Sequence, residues 1–353
     1  DGNDRYRFDD HSGADIVLEL PDGGDDTFDY SQASQALNFG FTAALLEKIE
    51  NFIGGAGNDR FTLSDGLTIS GRIDGGAGTN TLDLTAFSSS LPVALTAVGD
   101  IVGFCGKVSA IAGGFQNITV LLLANTSGNS FTGANVTSSW QVSPKTTTVS
   151  SGKKKLIFSG FTSITGGSAV DTFTISGNPA YNLDGGAGDD SFIFEDGSWL
   201  YGDIDGGVGS DTLDFSAFTT ARTIKLTGYT PTDGFIGMDI STNPALSGIF
   251  SHINGLLGSS SPNNNDVLIG IDHDAKWKVG SYSSYAVNPT LNFGSFKSLT
   301  GGSGADIFEI SGIQHISIQG GAGNDNFIFN LGASITDLDG GDGADQIEIR
   351  QYP

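Results

Sequence analysis

The chain has 353 residues, of which 40 are acidic and 16 basic, so its formal net charge is −24 at pH 7. An acidic surface of this kind repels nucleic-acid phosphates and anionic lipids, and no apolar run of about 18 residues is present, which argues against nucleic acid as a partner and against direct membrane insertion. Because 38% of the residues are hydrophobic and 10% aromatic, the chain has enough apolar surface for a buried core.

The N-terminal residues carry degenerate copies of a short glycine-aspartate pattern, with Asp4, Asp15 and Asp26 in its acidic position. From residue 54 the pattern becomes regular and reads Gly-Gly-x-Gly-x-Asp-x-apolar. Its eight copies lie at 54–61, 75–82, 166–173, 185–192, 206–213, 301–308, 320–327 and 340–347. Asn80 replaces the aspartate in the second copy, and Ala169-Val170 replaces Gly-x in the third. Eight aligned copies indicate a repeat architecture.

Each copy combines a turn with a short strand. The glycines permit positive φ angles and close backbone approach, and alternation as in Phe192-Ile193-Phe194 places aromatic side chains on one face. Within a cluster, successive first glycines are 19 to 21 residues apart. A coil of about 20 residues suits one circuit of a solenoid whose stacked coils bury each other's apolar faces. We therefore predict an all-β fold, a right-handed parallel β-solenoid (β-roll or β-helix) with about 20 residues per coil.

A longer repeat of about 135 residues contains the short one. Its matched segments are 74–87 with 205–218, 158–177 with 293–312, 182–194 with 317–329 and, more weakly, 128–142 with 265–279. The predicted domains are the end of a preceding unit (1–53), two solenoid repeat units (54–184 and 185–319) and the start of a following unit (320–353). Each repeat unit also contains about 90 residues without glycine-aspartate turns, enough for four or five further coils or for a bulging insert.

Several other residues have a chemical character of their own. Asp272-His273-Asp274 is the most enzyme-like cluster, but we predict that it is a polar loop before Trp277 rather than a catalytic or metal-binding group. We predict that Lys153-Lys154-Lys155 is an exposed hairpin tip rather than a binding patch. Cys105 stands alone in an apolar segment and is predicted to be an inert buried thiol. Trp140 and Trp277 occupy corresponding repeat positions and are predicted to be core residues rather than sugar-stacking platforms.

The glycine-aspartate turns favour a hard metal ion. Short carboxylates and glycine-exposed carbonyls supply oxygen ligands only, and Ca²⁺ accepts roughly 6–8 of them in a tolerant geometry. The four histidines and the single cysteine form no zinc or redox motif. The sequence therefore predicts several calcium ions as its cofactor, and these ions would offset the acidic charge.

In aggregate, the eight copies resemble the nonapeptide repeats of the RTX (repeats-in-toxin, haemolysin-type) calcium-binding family. The resemblance implies that calcium lies between stacked turns, held by backbone carbonyls and by the sixth-position aspartates. Those aspartates are Asp59, Asp171, Asp190, Asp211, Asp306, Asp325 and Asp345, with Asp4, Asp15 and Asp26 in the degenerate copies. Family arrays place such turns on both sides of the coil, whereas the opposite side is degenerate here at 63–66 and 195–197. We therefore expect calcium-binding turns stacked along one side.

The 135-residue unit also resembles, more loosely, modules of very large secreted bacterial surface proteins, the adhesins and filamentous RTX proteins. This resemblance implies type I secretion to the extracellular bacterial cell surface and a calcium-stabilised structural or adhesive role without catalysis. The implied partners are calcium ions, cell-surface glycans and other copies of the chain. Two alternatives stay open, namely an export and folding module of an RTX toxin or protease, and a β-helix polysaccharide lyase or epimerase.

Overall fold

The computed structural model describes residues 2–12, 17, 24–261 and 265–351, so the predicted ligand Asp15 lies outside the described residues. The described residues form 35 strands and a single four-residue helix, and the fold is all-β. They divide into two compact units, unit 1 (Asp1–Gln141 and Lys145–Ala169) and unit 2 (Val142–Pro144 and Val170–Pro353). Among the residues that the structure describes, no helix is long and apolar enough to cross a membrane.

All described strands except β10 and β22 are short, with two to six residues. The elements of unit 1 are β1 (Arg5–Arg7), β2 (Thr27–Asp29), β3 (Asn38–Gly40), α1 (Ala43–Leu46), β4 (Asn51–Ile53), β5 (Arg60–Thr62), β6 (Ile73–Asp74), β7 (Thr81–Leu84), β8 (Val93–Val98), β9 (Phe104–Val108), β10 (Ile111–Ile118), β11 (Val120–Leu123), β12 (Ser130–Thr132), β13 (Ser138–Val142, whose last residue falls in unit 2), β14 (Thr147–Ser151), β15 (Lys154–Ser159) and β16 (Ser163–Gly167). Those of unit 2 are β17 (Asp171–Ile175), β18 (Asn182–Gly186), β19 (Ser191–Phe194), β20 (Ile204–Asp205), β21 (Thr212–Asp214), β22 (Thr223–Tyr229), β23 (Phe235–Asp239), β24 (Phe250–Ile253), β25 (Gly255–Leu257), β26 (Val267–Ile269), β27 (Lys276–Val279), β28 (Ser283–Ala286), β29 (Thr290–Gly294), β30 (Ser298–Gly302), β31 (Ile307–Ile310), β32 (Ser317–Ala322), β33 (Asn326–Phe329), β34 (Asp337–Asp342) and β35 (Gln346–Ile349).

Each unit contains two stacks of mainly parallel strands. In unit 1 the stacks run β1-β2-β4-β6-β10-β9-β8-β12-β16 and β3-β5-β7-β11-β15-β14. In unit 2 they run β18-β20-β24-β23-β22-β26-β30-β32-β34 and β17-β19-β21-β25-β29-β28-β27-β31-β33-β35. Within the regular part, Phe308 pairs with Phe327 and Phe327 with Ile347, so partners are one short repeat apart in sequence. The prediction of an all-β fold of stacked parallel strands is confirmed.

The stretches without glycine-aspartate turns contain the antiparallel strands. In unit 1, β9 runs antiparallel between β8 and β10, and in unit 2, β23 runs antiparallel between β22 and β24. The second stacks contain antiparallel hairpins at the corresponding places, β14–β15 and β27–β28–β29. Strands on either side of each insert continue the parallel pairing. These stretches therefore fold back on themselves within the sheets.

The interior is filled by side chains from alternate strand positions, as expected for strands with one buried face. In unit 2, Trp277, Phe308 and Phe327 stack in succession, with ring centroids 5.4 and 5.2 Å apart. In unit 1, Phe131 stacks on the ring of Phe158 at 3.9 Å. Trp140 and Trp277 have no exposed surface, which confirms the prediction that both are core residues.

Candidate functional site

The sixth-position aspartates are buried rather than displayed on the surface. At most 1% of the surface is exposed in Asp26, Asp59, Asp171, Asp190, Asp211, Asp306 and Asp325. Asp345 is partly buried and Asp4 is exposed. Burying a carboxylate is costly unless its oxygens receive hydrogen bonds or a cation. The environment of each carboxylate oxygen therefore decides what these residues do.

One oxygen of each carboxylate links neighbouring coils. In unit 2, Asp190 Oδ1 accepts the backbone N–H of Asp171 at 2.7 Å, and Asp211 Oδ1 accepts that of Asp190 at 2.8 Å. In the same way, Asp325 Oδ1 accepts the backbone N–H of Asp306 at 2.8 Å, and Asp345 Oδ1 accepts that of Asp325 at 3.0 Å. The structure thus brings the predicted ligands of unit 2 together as two ladders.

The unit 1 aspartates are arranged in the same way but more sparsely. Asp26 Oδ1 accepts the backbone N–H of Asp4 at 2.7 Å. Asp59 Oδ1 accepts the N–H of Leu37 at 2.9 Å, and the backbone N–H of Asp59 donates to Oδ1 of Asn80 at 3.1 Å. The neighbours that Asp59 bonds in this way are therefore Leu37 and Asn80, not other sixth-position aspartates.

The second oxygen has a different environment. Buried Oδ2 atoms without any hydrogen-bond partner among the described residues occur in Asp26, Asp190, Asp211 and Asp325. In contrast, Asp59 Oδ2 accepts the N–H of Gly55 at 2.7 Å, and Asp306 Oδ2 accepts that of Gly302 at 3.1 Å. Four carboxylates therefore carry an oxygen that is removed from water and receives no donor from the described part of the chain.

In most copies of the motif the Oδ2 atom lies against the first glycine, where a side chain would overlap it. A Cβ placed on Gly185 would overlap both Oδ2 of Asp190 and the carbonyl oxygen of Gly206. A Cβ on Gly320 would overlap Oδ2 of Asp325 and the carbonyl oxygen of Gly340 in the same way. Carboxylate and carbonyl oxygens therefore converge at these glycines, where only a residue without a side chain fits.

The side chain of Asn80 indicates which groups surround the Oδ2 atom of Asp211, its counterpart in unit 2. The segments 74–87 and 205–218 correspond, so Asn80 in unit 1 occupies the position of Asp211 in unit 2. Asn80 Nδ2 donates to the carbonyl oxygens of Gly76 at 3.3 Å and Asn117 at 3.1 Å. A Cβ on Gly75 would lie 2.7 Å from Asn80 Nδ2, and one on Gly206 would lie 2.7 Å from Asp211 Oδ2. The same position thus holds a hydrogen-bond donor in one unit and a bare carboxylate oxygen in the other.

The carbonyl groups around the two positions also correspond. Asn117 and His252 both adopt positive φ angles, 56° and 53°, which are uncommon for residues other than glycine. A Cβ on Gly75 would overlap the carbonyl oxygen of Asn117, and one on Gly206 would overlap that of His252. Asp211 Oδ2 therefore lies where Asn80 finds hydrogen-bond acceptors, so a proton or a cation is needed to relieve the repulsion between oxygens.

Burial shifts the ionisation of these groups toward the neutral form. Desolvation raises the pKa of Asp190, Asp211 and Asp306 to about 7, and the neighbouring aspartates add to the rise. The pKa values of Asp59 and Asp325 are also raised, again mainly by burial. At pH 8 and without a bound cation, ionisation of these carboxylates therefore destabilises the folded chain.

The donor set fits calcium better than a softer metal. Among the described ranges no group of three or more His, Cys, Asp or Glu side chains is placed to hold a metal ion. A cation at these corners would therefore take one carboxylate oxygen per coil and draw its remaining ligands from backbone carbonyls. Such an all-oxygen set is typical of Ca²⁺ sites. The residues that would hold it are those with unpartnered oxygens, Asp26, Asp190, Asp211 and Asp325.

Two further members of this arrangement lack the glycine-aspartate motif and were missed in the sequence. Asp266 is buried, its Oδ1 accepts the N–H of Arg222 at 2.7 Å, and its Oδ2 accepts that of Ser259 at 2.5 Å. Asn129 takes this role in unit 1, where its Oδ1 accepts the N–H of Leu91 and its Nδ2 donates to two carbonyls. The weak match of 128–142 to 265–279, which aligns Asn129 with Asp266, was the signal that could have found them.

A separate cluster lies beside Asp272-His273-Asp274 in unit 2. His273 and Asp272 line a cavity of about 470 Å³ together with Lys225 and Tyr229 of β22. His273 is exposed, and its Nδ1 lies 3.0 Å from the carbonyl oxygen of Asp274. The sequence identified the triplet but did not indicate that Lys225 and Tyr229 approach it.

Comparison with known proteins assigns the chain to no family. No protein-family model matches it, and no curated protein matches its sequence. The resemblance to RTX repeats therefore remains a prediction from the motif.

Proposed function

We propose that the chain is a calcium-stabilised structural or adhesive segment of a large secreted bacterial surface protein and is not an enzyme. The observation that carries the proposal is the set of buried, unpartnered Oδ2 atoms in Asp26, Asp190, Asp211 and Asp325. These oxygens lie beside backbone carbonyls at glycine corners and are suited to a hard cation. Calcium ions at several corners would join neighbouring coils through groups that otherwise repel each other.

The large negative charge supports the same proposal. At −24, the metal-free chain is destabilised in its compact state by self-repulsion. In a calcium-poor cytosol this repulsion would keep the chain expanded and suitable for type I export, and calcium outside the cell would drive folding. The proposed location is accordingly the extracellular bacterial cell surface, with cell-surface glycans or other copies of the chain as further partners.

The proposed architecture is a right-handed parallel β-solenoid with about 20 residues per coil and calcium-binding turns along one side. It is supported by pairing of residues one short repeat apart, such as Phe192 with Leu213. The two three-membered ladders, ending at Asp211 and Asp345, support the idea that metal-binding corners cluster. An export and folding module of an RTX toxin or protease would share all these properties, and a parent sequence carrying a toxin or protease domain would favour it.

The test is thermal unfolding of the chain in millimolar calcium and in excess chelator. We expect chelator to lower the melting temperature by tens of degrees or to abolish cooperative unfolding, because the repulsion between ladder carboxylates returns. A third sample in chelator, with KCl raised to the same ionic strength as the calcium sample, separates site binding from general screening. Magnesium replaces calcium in a fourth sample. Melting curves that coincide in calcium and chelator would refute the proposal.

A second candidate function is a polysaccharide lyase, which the cavity near His273 favours. Lyases of acidic polysaccharides need a base that removes the proton next to a uronate carboxylate and a cation that stabilises the resulting charge. Tyr229 or His273 would serve as the base and Lys225 as the cation, since all three line one cavity. The base takes the proton, a C=C bond forms as the glycosidic C–O bond breaks, and the leaving sugar oxygen receives a proton from a protonated side chain or water, which leaves an unsaturated uronate and a free hydroxyl group. Ultraviolet absorbance from alginate- or pectin-like polymers that disappears in His273→Ala or in Tyr229→Phe would establish this activity. Its absence in the unmodified chain would exclude the activity for these polymers.

A further inference from the structure

A cavity of another kind lies in unit 1, where Thr79 of the second motif copy is part of its lining. Its volume is about 500 Å³, within the roughly 300–1,000 Å³ typical of small-molecule sites. Its lining includes Val120 and Ile157, which pair with each other across β11 and β15, and the neighbouring Thr119. Ile101 and Val102, in the loop between β8 and β9, also line it. The cavity is therefore largely apolar.

The lining of this cavity is also strongly basic, which is unusual in so acidic a chain. Lys153, Lys154 and Lys155 all line the cavity and make up three of the 16 basic residues. Lys153 lies in the turn between β14 and β15 and is exposed, as predicted for a hairpin tip, whereas Lys154 and Lys155 begin β15 and Lys154 is half-buried. The described residues that line this cavity include no carboxylate, and no ion pair among them or elsewhere in the described ranges includes these lysines. Three positive charges thus meet beside an apolar cavity without an acidic partner in the described part of the chain.

The loop and the hairpin are held together independently of any ligand. Lys154 Nζ donates to the backbone carbonyls of Ile101 at 2.6 Å and Asp100 at 3.2 Å. These bonds tie the β8–β9 loop to the hairpin and keep the cavity formed. Lys153 and Lys155 are exposed and form no ion pair with any described residue, so their ammonium groups are available to a bound anion.

The corresponding hairpin of unit 2 does not repeat this charge. Phe158 and Phe293 correspond because each occupies the same position in its stack, opposite Leu121 and Leu256 respectively. Counting from Phe293, the residues that replace the three lysines are Asn288, Pro289 and Thr290. The hairpin fold therefore does not need lysine at these positions, which favours a role in binding.

We propose that this cavity binds a small amphiphilic anion, an apolar chain or ring that carries a carboxylate. The apolar body would lie against Val120, Ile157 and Ile101, and the carboxylate would be placed between Lys153 and Lys155. Charge and shape together support this class of ligand, because a sugar acid lacks the apolar body and a neutral lipid lacks the charge. The proposal is independent of calcium binding by the ladders.

The test is isothermal titration calorimetry of the full chain in millimolar calcium with 4-phenylbutyrate and with octanoate below its micellar concentration. The controls are 4-phenylbutanol, which keeps the ring and removes the charge, and glucuronate, which keeps the charge and removes the apolar body. The test variant is Lys153→Gln/Lys155→Gln. Its matched control is Lys145→Gln/Lys278→Gln, which changes two exposed lysines elsewhere and alters the net charge equally.

We expect saturable binding of at least one of the two amphiphilic anions and about tenfold weaker binding of both controls. The Lys153→Gln/Lys155→Gln variant should bind that anion about tenfold more weakly, whereas the control variant should match the unmodified chain. Equal affinity for 4-phenylbutyrate and 4-phenylbutanol would overturn the assignment of an anion site. Unchanged affinity in the test variant, or absence of saturable binding of both anions, would overturn it equally.

Discussion

The substitution Asp211→Asn tests the interpretation of the ladders most directly, because unit 1 already has an asparagine at the corresponding position. In unit 1, Asn80 occupies the corresponding position and donates to the carbonyls of Gly76 and Asn117. In unit 2, the carbonyl of His252 lies where that of Asn117 lies in unit 1. The amide introduced by this substitution should therefore find acceptors already in place, while its Oδ1 keeps the bond from the N–H of Asp190.

The magnitude follows from the ionisation of Asp211. Burial raises the pKa of Asp211 from 3.8 to about 7. At about 1.36 kcal/mol per unit, ionised Asp211 disfavours the metal-free fold at pH 8 by on the order of 4 kcal/mol. Asparagine removes this cost and adds two hydrogen bonds that roughly offset the desolvation of the amide. We expect the variant to be more stable than the unmodified chain by about 2–4 kcal/mol at pH 8 in low calcium, and by less than about 1 kcal/mol at pH 4, where the aspartate is protonated.

The assay is urea unfolding over a series of free calcium concentrations. At high calcium the order should reverse or the difference should vanish, because the Asp211→Asn variant lacks one of the proposed carboxylate ligands and calcium should therefore stabilise it less. Asp189→Asn is the matched control, since Asp189 is exposed and its Oδ1 accepts the N–H of Ser210 at 2.9 Å, a bond that asparagine keeps. An Asp211→Asn chain that is less stable than the unmodified one at every calcium concentration would refute the reasoning.

Three further outcomes are expected from the same structure. In chelator, the free energy of unfolding should fall as pH rises from about 4 to about 7 and then level off. The reason is that Asp190, Asp211 and Asp306 bind protons more tightly in the folded chain than in the unfolded chain. Denaturant titrations that show rising stability across this pH range would contradict the prediction. Gly320→Ala should lower the free energy of unfolding in urea by about 1–3 kcal/mol, because the new Cβ would overlap Asp325 Oδ2 and a carbonyl oxygen. Gly280→Ala is the control, since the nearest atom to its Cβ would be 3.5 Å away, and it should lower the free energy of unfolding by less than half as much. Cys105 is half-buried rather than fully buried as predicted, and desolvation raises the pKa of its thiol. It should be alkylated at least about tenfold more slowly at pH 8 in the folded chain than in urea, and equal rates would show that the thiol is accessible.

The repeat motif by itself determined the local structure of the chain. Glycines at the turn and period-two alternation after the aspartate act through contacts between residues close in sequence, so they predict turns, short strands and one buried face. The stacking of Phe308 on Phe327 follows from the same register, because identical motifs one repeat apart place identical side chains in line. The alignment of Asp306, Asp325 and Asp345 was predictable for this reason.

Only the tertiary structure decided what surrounds those side chains. The carbonyls beside Asn80 and Asp211 come from Asn117 and His252, about 40 residues farther along, and their positive φ angles have no signature in the sequence. The antiparallel inserts depend on pairing between segments that lack the motif, as with β22 and β23. The apolar cavity beside Lys153 likewise requires a loop and a hairpin some 50 residues apart to meet through Lys154. Short-range turn chemistry sets the repeat, whereas the donors and acceptors that meet each carboxylate depend on chain segments brought together only by folding.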